Sequence, residues 1–589
     1  MKGMSAAAAA IDVLDREHVR CVFGVPGGPV LGLCDEIERH PRVSFVLTKH
    51  EQGAAYAAFA YARVTGALGV CLGTLGPGAT NLLAGLPVAA IESMPVLAIT
   101  GQVQTTGVGR GAHQETTGWF GTPDQQAMFR AACKHSCLCT DPQRLPEFLR
   151  HSIRIALSGR PGPVHVIVPA DLLHNTIKYE PLTPAQYRLV EDTPVDDAAA
   201  ARIAARIARA QSPALLMGGR SVRPDCGPVA HELSKAAAMP VATDLSCKSV
   251  VDERIDGYLG CVGVLGHKAA EKYVKEEADL VITVGQTFDE ISTLSWDPAF
   301  ASGRDLVQLD IDAQEIGKAF PVADGSAGHL PALLGRILFH LQSQHLTGAD
   351  GRRQRVRALL DKHPPFVADE MVSAKVPMLP QRVVAELRAG LPDDALILSD
   401  SSKWARWLGR YFQASRGQIV AAHDYEPMGW AVAGAIGAKL ASPHRPVVCV
   451  SGDGAFLMSA MELSTAANYD LEIIWVVLND SRLGIIYDLQ KGLYGGQVTG
   501  TTFRNPDLVG LAESLGLRGR TVSEPDDLCA SLRRAVATGG SHLFDVRFDA
   551  DEIPAVRPRS LMITRGMGLP DPTPGRETTR ALIKMLKER

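Results

Sequence analysis

Short apolar runs alternate with helix-period segments along almost the whole chain. In the first third the runs are Cys21–Val25, Ser44–Leu47, Gly69–Leu72, Val96–Ile99 and Val164–Val168. Between them lie helical patterns such as Glu51–Thr65 and Ala79–Ile91. An apolar run without polar alternation is a strand covered on both faces. Such strands, joined by helices, make βαβ units and parallel sheets. The expected class is therefore α/β, with doubly wound parallel-sheet domains.

The alternation is interrupted twice. A polar stretch, Tyr179 to Asp197, contains Pro181, Pro184 and Pro194 and reads as a linker. A basic helical stretch, Gly351 to Lys362, followed by Pro364-Pro365, reads as a second one. The second block has strands at Ala214–Met217, Val241–Thr243, Leu280–Val284 and Leu306–Asp310. The third has them at Leu396–Ser399, Val447–Ser451, Leu471–Leu478 and Leu543–Phe548. Three domains are expected, at residues 1–175, 196–345 and 376–556, with a tail at 557–589 holding a short helix, Glu577–Lys587. At roughly 100–200 residues per domain, 589 residues suit three such units.

Charge removes some partners. Sixty Lys and Arg stand against 64 Asp and Glu, a net charge of −4. No basic field would attract nucleic acid or an anionic membrane. No run reaches the ~18 uninterrupted apolar residues of a spanning helix. The Ala6–Ala10 run leads into an amphipathic helix rather than a signal peptide. Eleven cysteines lie scattered, without zinc spacing, as in a reduced cytoplasmic protein.

The most informative segment is Ser451-Gly452-Asp453-Gly454-Ala455-Phe456, directly after the third block's second run. Twenty-four residues separate Gly454 from Asn479-Asp480, which ends the next strand. Asp453 and Asp480 thus stand at the carboxyl ends of two strands, where α/β sheets bind ligands. Glycines beside Asp453 open its backbone amides to an anion at a helix start. Two hard carboxylates beside a diphosphate suit Mg²⁺.

This pattern resembles the signature of thiamin-diphosphate-dependent enzymes of the acetolactate synthase and pyruvate oxidase group. So do Phe23-Gly24-Val25-Pro26-Gly27-Gly28, His50-Glu51-Gln52-Gly53-Ala54-Ala55, Gly76-Pro77-Gly78-Ala79-Thr80-Asn81, Ile99-Thr100-Gly101-Gln102-Val103 and Met428-Gly429-Trp430. The resemblance runs nearly end to end.

It implies a role for each matching position. Asp453, Asp480 and the backbone carbonyl of Arg482 would bind Mg²⁺. Gly452, Gly454 and Ala455 would meet the diphosphate, with Leu483, Gly484 and Ile485 also on the cofactor. Glu51 would hydrogen-bond the pyrimidine ring and start proton relay, with Gly27, Pro77 and Asn81 in the same cofactor-binding set. Met428 would hold the cofactor bent, and the carbonyl of Glu426 would accept from its amino group. Gln114 and His113 are candidate catalytic residues, His113 against the alternative of a structural loop histidine. The implied assembly is a homodimer or homotetramer with active sites at the subunit interface. The implied reaction decarboxylates a 2-oxo acid, with pyruvate expected, and adds the two-carbon unit to a carbonyl acceptor. Simple decarboxylation, acyl transfer, flavin-linked oxidation and an inactive regulatory paralogue are the alternatives.

Several positions depart from that group. Asp480 replaces the usual Asn. The run Tyr425-Glu426-Pro427 lies near where Gly is usual. Leu489 replaces a tryptophan nine residues past the second metal ligand. Phe288-Asp289-Glu290-Ile291 lacks the arginine that would fork onto an acceptor carboxylate, so a less charged acceptor is expected. FAD stays open. Gly218-Gly219-Arg220 and Asp310-Ile311-Asp312 resemble parts of a flavin site, while the arginine is missing. The Gly-rich segment Lys491 to Phe503 resembles a loop that closes over the site.

Overall fold

The computed structural model describes residues 3–190, 195–222, 225–494 and 496–554. The tail 557–589 and the helix expected in it lie outside the described residues. The chain forms three six-stranded sheets, and a small antiparallel pair joins Gly3–Ser5 to Thr176–Lys178.

The first sheet runs Ser44–Leu47, Cys21–Gly24, Gly69–Gly73, Val96–Gln102, Val164–Pro169, His135–Leu138, all parallel. By chain order these are its second, first, third, fourth, sixth and fifth strands. The last sheet repeats that order with Ile419–Ala421, Leu396–Ser399, Val447–Gly452, Ile473–Asn479, His542–Arg547 and Arg518–Val522. In both, the order reverses between the first and third strands. That is the point at which open α/β sheets form a ligand crevice.

The middle sheet runs Tyr258–Cys261, Val241–Thr243, Pro213–Met217, Leu280–Val284, Asp305–Asp310, Asp324–Ala327. This is the third, second, first, fourth, fifth, sixth order of dinucleotide-binding sheets.

Compact units do not follow the three sheets. One contains residues 1–193, 424–447 and 459–473; the other contains 194–423, 448–458 and 474–589. In the first unit the helix Glu51–Thr65 is buried on nearly every side. The helix Trp430–Ala441 packs along it, with Phe59 edge-on to Trp430 at 5.5 Å. Small residues allow the approach: a Cβ on Gly437 would lie 1.9 Å from the Ala57 carbonyl oxygen.

Three sequence expectations need correction. Ala79–Ile91 is two helices, Pro77–Leu83 and Leu86–Ile91. The break falls at Gly85, just before Pro87, where a Cβ would lie 2.6 Å from that of Ala55. The stretch 351–362 is not a linker. It belongs to the helix Ala349–Lys362, whose buried Arg352 donates to the carbonyls of Ile207, Ala208, Ala210 and Ala237. The first part of the other expected linker also packs in. Tyr179 donates to Asp12 at 2.6 Å, and Arg188 pairs with Glu17 at 2.7 Å. No described helix is long and apolar enough to cross a membrane. All eleven cysteines are free thiols.

Candidate functional site

Glu51 opens the helix Glu51–Thr65, and the ring of His50 caps it by accepting from the Gln52 amide. A carboxylate in a first helical turn is favoured by the exposed amides there. Glu51 is 7 % exposed, and its Oε2 accepts from Asn81 Nδ2 at 2.9 Å. Space around it is cleared by glycine. A Cβ on Gly78 would lie 2.9 Å from Glu51 Oε1, and one on Gly27 would lie 2.5 Å from Thr74 Oγ1. Gly27 and Thr74 follow the two strands that flank the reversal point of the first sheet. Pro77 begins the helix that carries Asn81.

Gln114 has a left-handed backbone (φ 58°) and packs on Gly76, while its side chain and that of His113 are exposed. Their loop is pinned by buried Glu115. That carboxylate accepts from the amides of Gly109 (2.6 Å), Gly111 (3.2 Å) and Ala112 (3.3 Å) and from the Thr117 hydroxyl (2.5 Å). Those bonds, Thr117 first, hold the Glu115 carboxyl below the usual range.

Glu426 has φ 52°, in the left-handed region that glycine enters freely. A glutamate thus holds a backbone that glycine would enter at less cost. Met428 follows it, half-buried, just before the helix Trp430–Ala441.

In the second unit, Asp453 is fully buried after the strand Val447–Gly452. Its Oδ1 accepts from the Gly454 amide at 2.8 Å. Its Oδ2 accepts from the Ser481 amide and from Asn505 Nδ2, both at 2.6 Å. Asp480 Oδ1 accepts from the Arg482 amide at 3.2 Å. Burial and the Asp453 charge push the Asp480 carboxyl up to about 7, and burial raises Asp453 as well. Gly454 has no room for a side chain, since a Cβ would lie 2.7 Å from Leu483. Gly484 adjoins Asp480: a Cβ there would lie 3.1 Å from its Oδ2. Ala455 is buried and Ile485 half-buried on the same two turns.

The donor set fits a hard divalent ion. Two carboxylates repel each other in a buried place, and among the described residues no cluster of three or more His, Cys, Asp or Glu could hold a metal. The remaining ligands would be neutral carbonyls or ligand oxygens, as Mg²⁺ prefers. The buried Oδ1 of Asn505, held beside Asp453, has no hydrogen-bond partner.

The middle sheet differs. Gly218 and Arg220 amides donate to the carbonyls of Val284 (2.9 Å) and Gly285 (3.0 Å), so the two loops at its reversal point are bonded together. The Arg220 side chain is buried between Asp310 (3.3 Å) and Glu315 (2.9 Å). The residues that resemble a flavin site thus meet through an internal ion pair. Nearby, Asp289 caps a helical turn by accepting from Ile291 (2.7 Å) and Ser292 (2.9 Å). Ile291 packs against the apolar cluster of Leu245, Cys261, Val264 and Leu265.

The structure adds three residues that the sequence did not single out. Glu462 is buried and accepts from the amides of Lys49 and His50. Asn505 joins Asp453, Asn479 (2.9 Å) and Ser481 (3.3 Å). Lys403 pairs with Asp488 at 2.8 Å. The expected closing segment is partly helical, in Gly484–Leu493. Its far end folds back, with the Leu483 amide donating to Thr501 and the Phe503 amide to Ser481.

Known proteins are similar to this chain along most of its length. Residues 4–128, 200–337 and 400–546 match the descriptions "Thiamine pyrophosphate enzyme, N-terminal TPP binding domain", "central domain" and "C-terminal TPP binding domain". The chain is 31 % identical to a probable acetolactate synthase large subunit of Methanococcus aeolicus, covering 95 % of each. It is 33 % identical to an acetolactate synthase of Arthrospira platensis, covering 94 % of this chain and 95 % of the other. It is 32 % identical to the acetolactate synthase isozyme 2 large subunit of Escherichia coli, covering 93 % and 96 %.

Proposed function

This chain belongs to the thiamine pyrophosphate enzyme family, and from that premise we infer that it is a carboligase dependent on thiamin diphosphate and Mg²⁺. It decarboxylates a 2-oxo acid, pyruvate in this reading, and passes the two-carbon unit to a carbonyl acceptor. The observation that carries the reading is the coexistence of buried Glu51, bonded to Asn81, with buried Asp453 and half-buried Asp480.

Thiamin diphosphate supplies the nucleophilic carbon and the electron sink. Asn81 engages Glu51 Oε2, so Oε1 is the carboxyl oxygen that would hold or give a proton toward a bound pyrimidine. Asp453, Asp480 and the Arg482 carbonyl hold Mg²⁺ in this reading. Gly452, Gly454 and Ala455 would meet the diphosphate, beside Leu483, Gly484 and Ile485, once the Gly454 amide leaves Asp453. Gly27 and Pro77 shape the pyrimidine side, and Met428 and the Glu426 carbonyl support the cofactor. Gln114 and His113 line the substrate side. Ile291 in an apolar cluster offers no cation to a second carboxylate, which favours an aldehyde or ketone acceptor. Flavin is left out of the reaction because of the Arg220 ion pair.

The two halves of the chemistry lie in different compact units. A homodimer or homotetramer with sites at the subunit interface is the assembly proposed, and the free thiols suit a cytoplasmic protein. The three domains proposed for it are 1–175, 196–345 and 376–556.

The test is mass spectrometry of products from labelled pyruvate with a panel of aldehyde, ketone and keto-acid acceptors. A coupled product carrying the labelled two-carbon unit is expected, with the uncharged acceptors preferred. Release of labelled CO₂ without any coupled product would replace the carboligase with a decarboxylase. Efficient self-coupling of pyruvate would overturn the acceptor assignment.

A further inference from the structure

Lys403 begins the helix Lys403–Tyr411, which follows the first strand of the last sheet at its reversal point. Its side chain is 4 % exposed, and its Nζ lies 2.8 Å from Asp488 Oδ2. The side chain also borders the second carboxylate of the candidate metal pair. The place where Gly484 would carry a Cβ lies 3.1 Å from Asp480 Oδ2 and 3.4 Å from Lys403 Cδ. The Lys403 charge acts on Asp480, as does that of Arg482. Arg482, however, is tied outward to Asp551 at 2.9 Å and stacks over Tyr487.

Counting charges shows why a buried cation is needed here. Asp453, Asp480 and Asp488 place three carboxylates around one pair of turns. A divalent ion offsets two of them. A diphosphate then adds further negative charge in a place largely closed to water, where uncompensated charge is costly. Lys403 is the buried cation that the structure pairs with Asp488 and places across Gly484 from Asp480.

We propose that Lys403 is the counter-charge that lets this site hold a metal diphosphate next to an aspartate at position 480. Its contribution to cofactor affinity is coupled to the Asp480 charge. It is a positioning residue that acts by field, not a group in the chemistry. The proposal rests on the reading of this site as the metal–diphosphate site.

The test is a double-mutant cycle read by calorimetric titration of thiamin diphosphate in the presence of Mg²⁺. Lys403→Met is expected to weaken binding about ten- to hundredfold, the range of a lost charge interaction. Adding Asp480→Asn is expected to recover most of that loss, and Lys403→Arg is expected to retain affinity. Melting temperatures identify any variant that fails to fold, and Lys403→Gln then replaces Lys403→Met. Equal losses with Asp or Asn at position 480, or no loss at all, would overturn the proposal. A wild-type protein that binds no thiamin diphosphate would instead overturn the underlying site reading.

Discussion

Glu462 Oε1 accepts from the amide of His50 at 3.1 Å, one residue before Glu51, and from that of Lys49 at 3.0 Å. Its other oxygen accepts from Thr465. Gly53 completes the fit, because a Cβ there would lie 2.4 Å from Glu462 Oε1. Glu462 thus sets the approach of the chain to Glu51. Glu462→Ala and Gly53→Ala are each expected to lower kcat by about 10²-fold, the cost of roughly 1 Å of misplacement. Steady-state kinetics beside thiamin diphosphate titration checks this, with kcat falling much more than cofactor affinity.

Glu51→Gln is expected to lose about 10²- to 10⁴-fold in decarboxylation rate, the usual span of acid–base assistance. Cofactor binding should survive. Mixing Glu51→Gln protein with Asp453→Asn protein under subunit exchange should restore part of the activity if sites are shared between chains. Each variant alone should stay inactive.

A pH signature follows from Asp480. Its folded value, about 7, lies above the ordinary 3.8. Between those values the Asp480 carboxyl holds more proton in the metal-free folded state than in the unfolded chain. Its contribution to stability therefore falls as pH rises through that window. Mg²⁺ with thiamin diphosphate should reverse the loss. Thermal denaturation across pH should show the greatest gain from the ligands at the upper end, and a flatter apo profile for Asp480→Asn.

Gly437→Ala would drive a methyl into the Ala57 carbonyl. A destabilisation of about 1–3 kcal/mol is expected, as for other overpacked cores. Urea denaturation measures it.

The visible spectrum of purified protein is expected to lack a flavin band. Arg220→Ala should leave that spectrum unchanged while lowering stability, since it leaves Asp310 buried without its partner.

Much of this was legible in the chain. Central strands such as Val241–Thr243, Leu280–Val284 and Leu396–Ser399 stand where continuous apolar runs put them. The edge strand Ser44–Leu47 was legible, but two others were not: His135–Leu138 and Arg518–Val522 carry polar residues, and one side of each lacks a sheet neighbour. Arg352 misled because a basic stretch reads as solvated, whereas its charge is spent on four carbonyls. Asp453 and Asp480 were readable because each ends a strand beside a turn. Asn505 and Glu462 were not, since nothing near them in sequence connects them to residues 24 to 413 positions away.

The helix Glu51–Thr65 is sheathed by a helix made almost four hundred residues later. A ribosome therefore releases the first sheet long before its cover exists. The nascent amino-terminal third must wait, with an alanine-rich apolar helix unsheltered, until Trp430–Ala441 emerges. Any attempt to express that third by itself, or to exchange it between relatives, has to bring the two distant segments along.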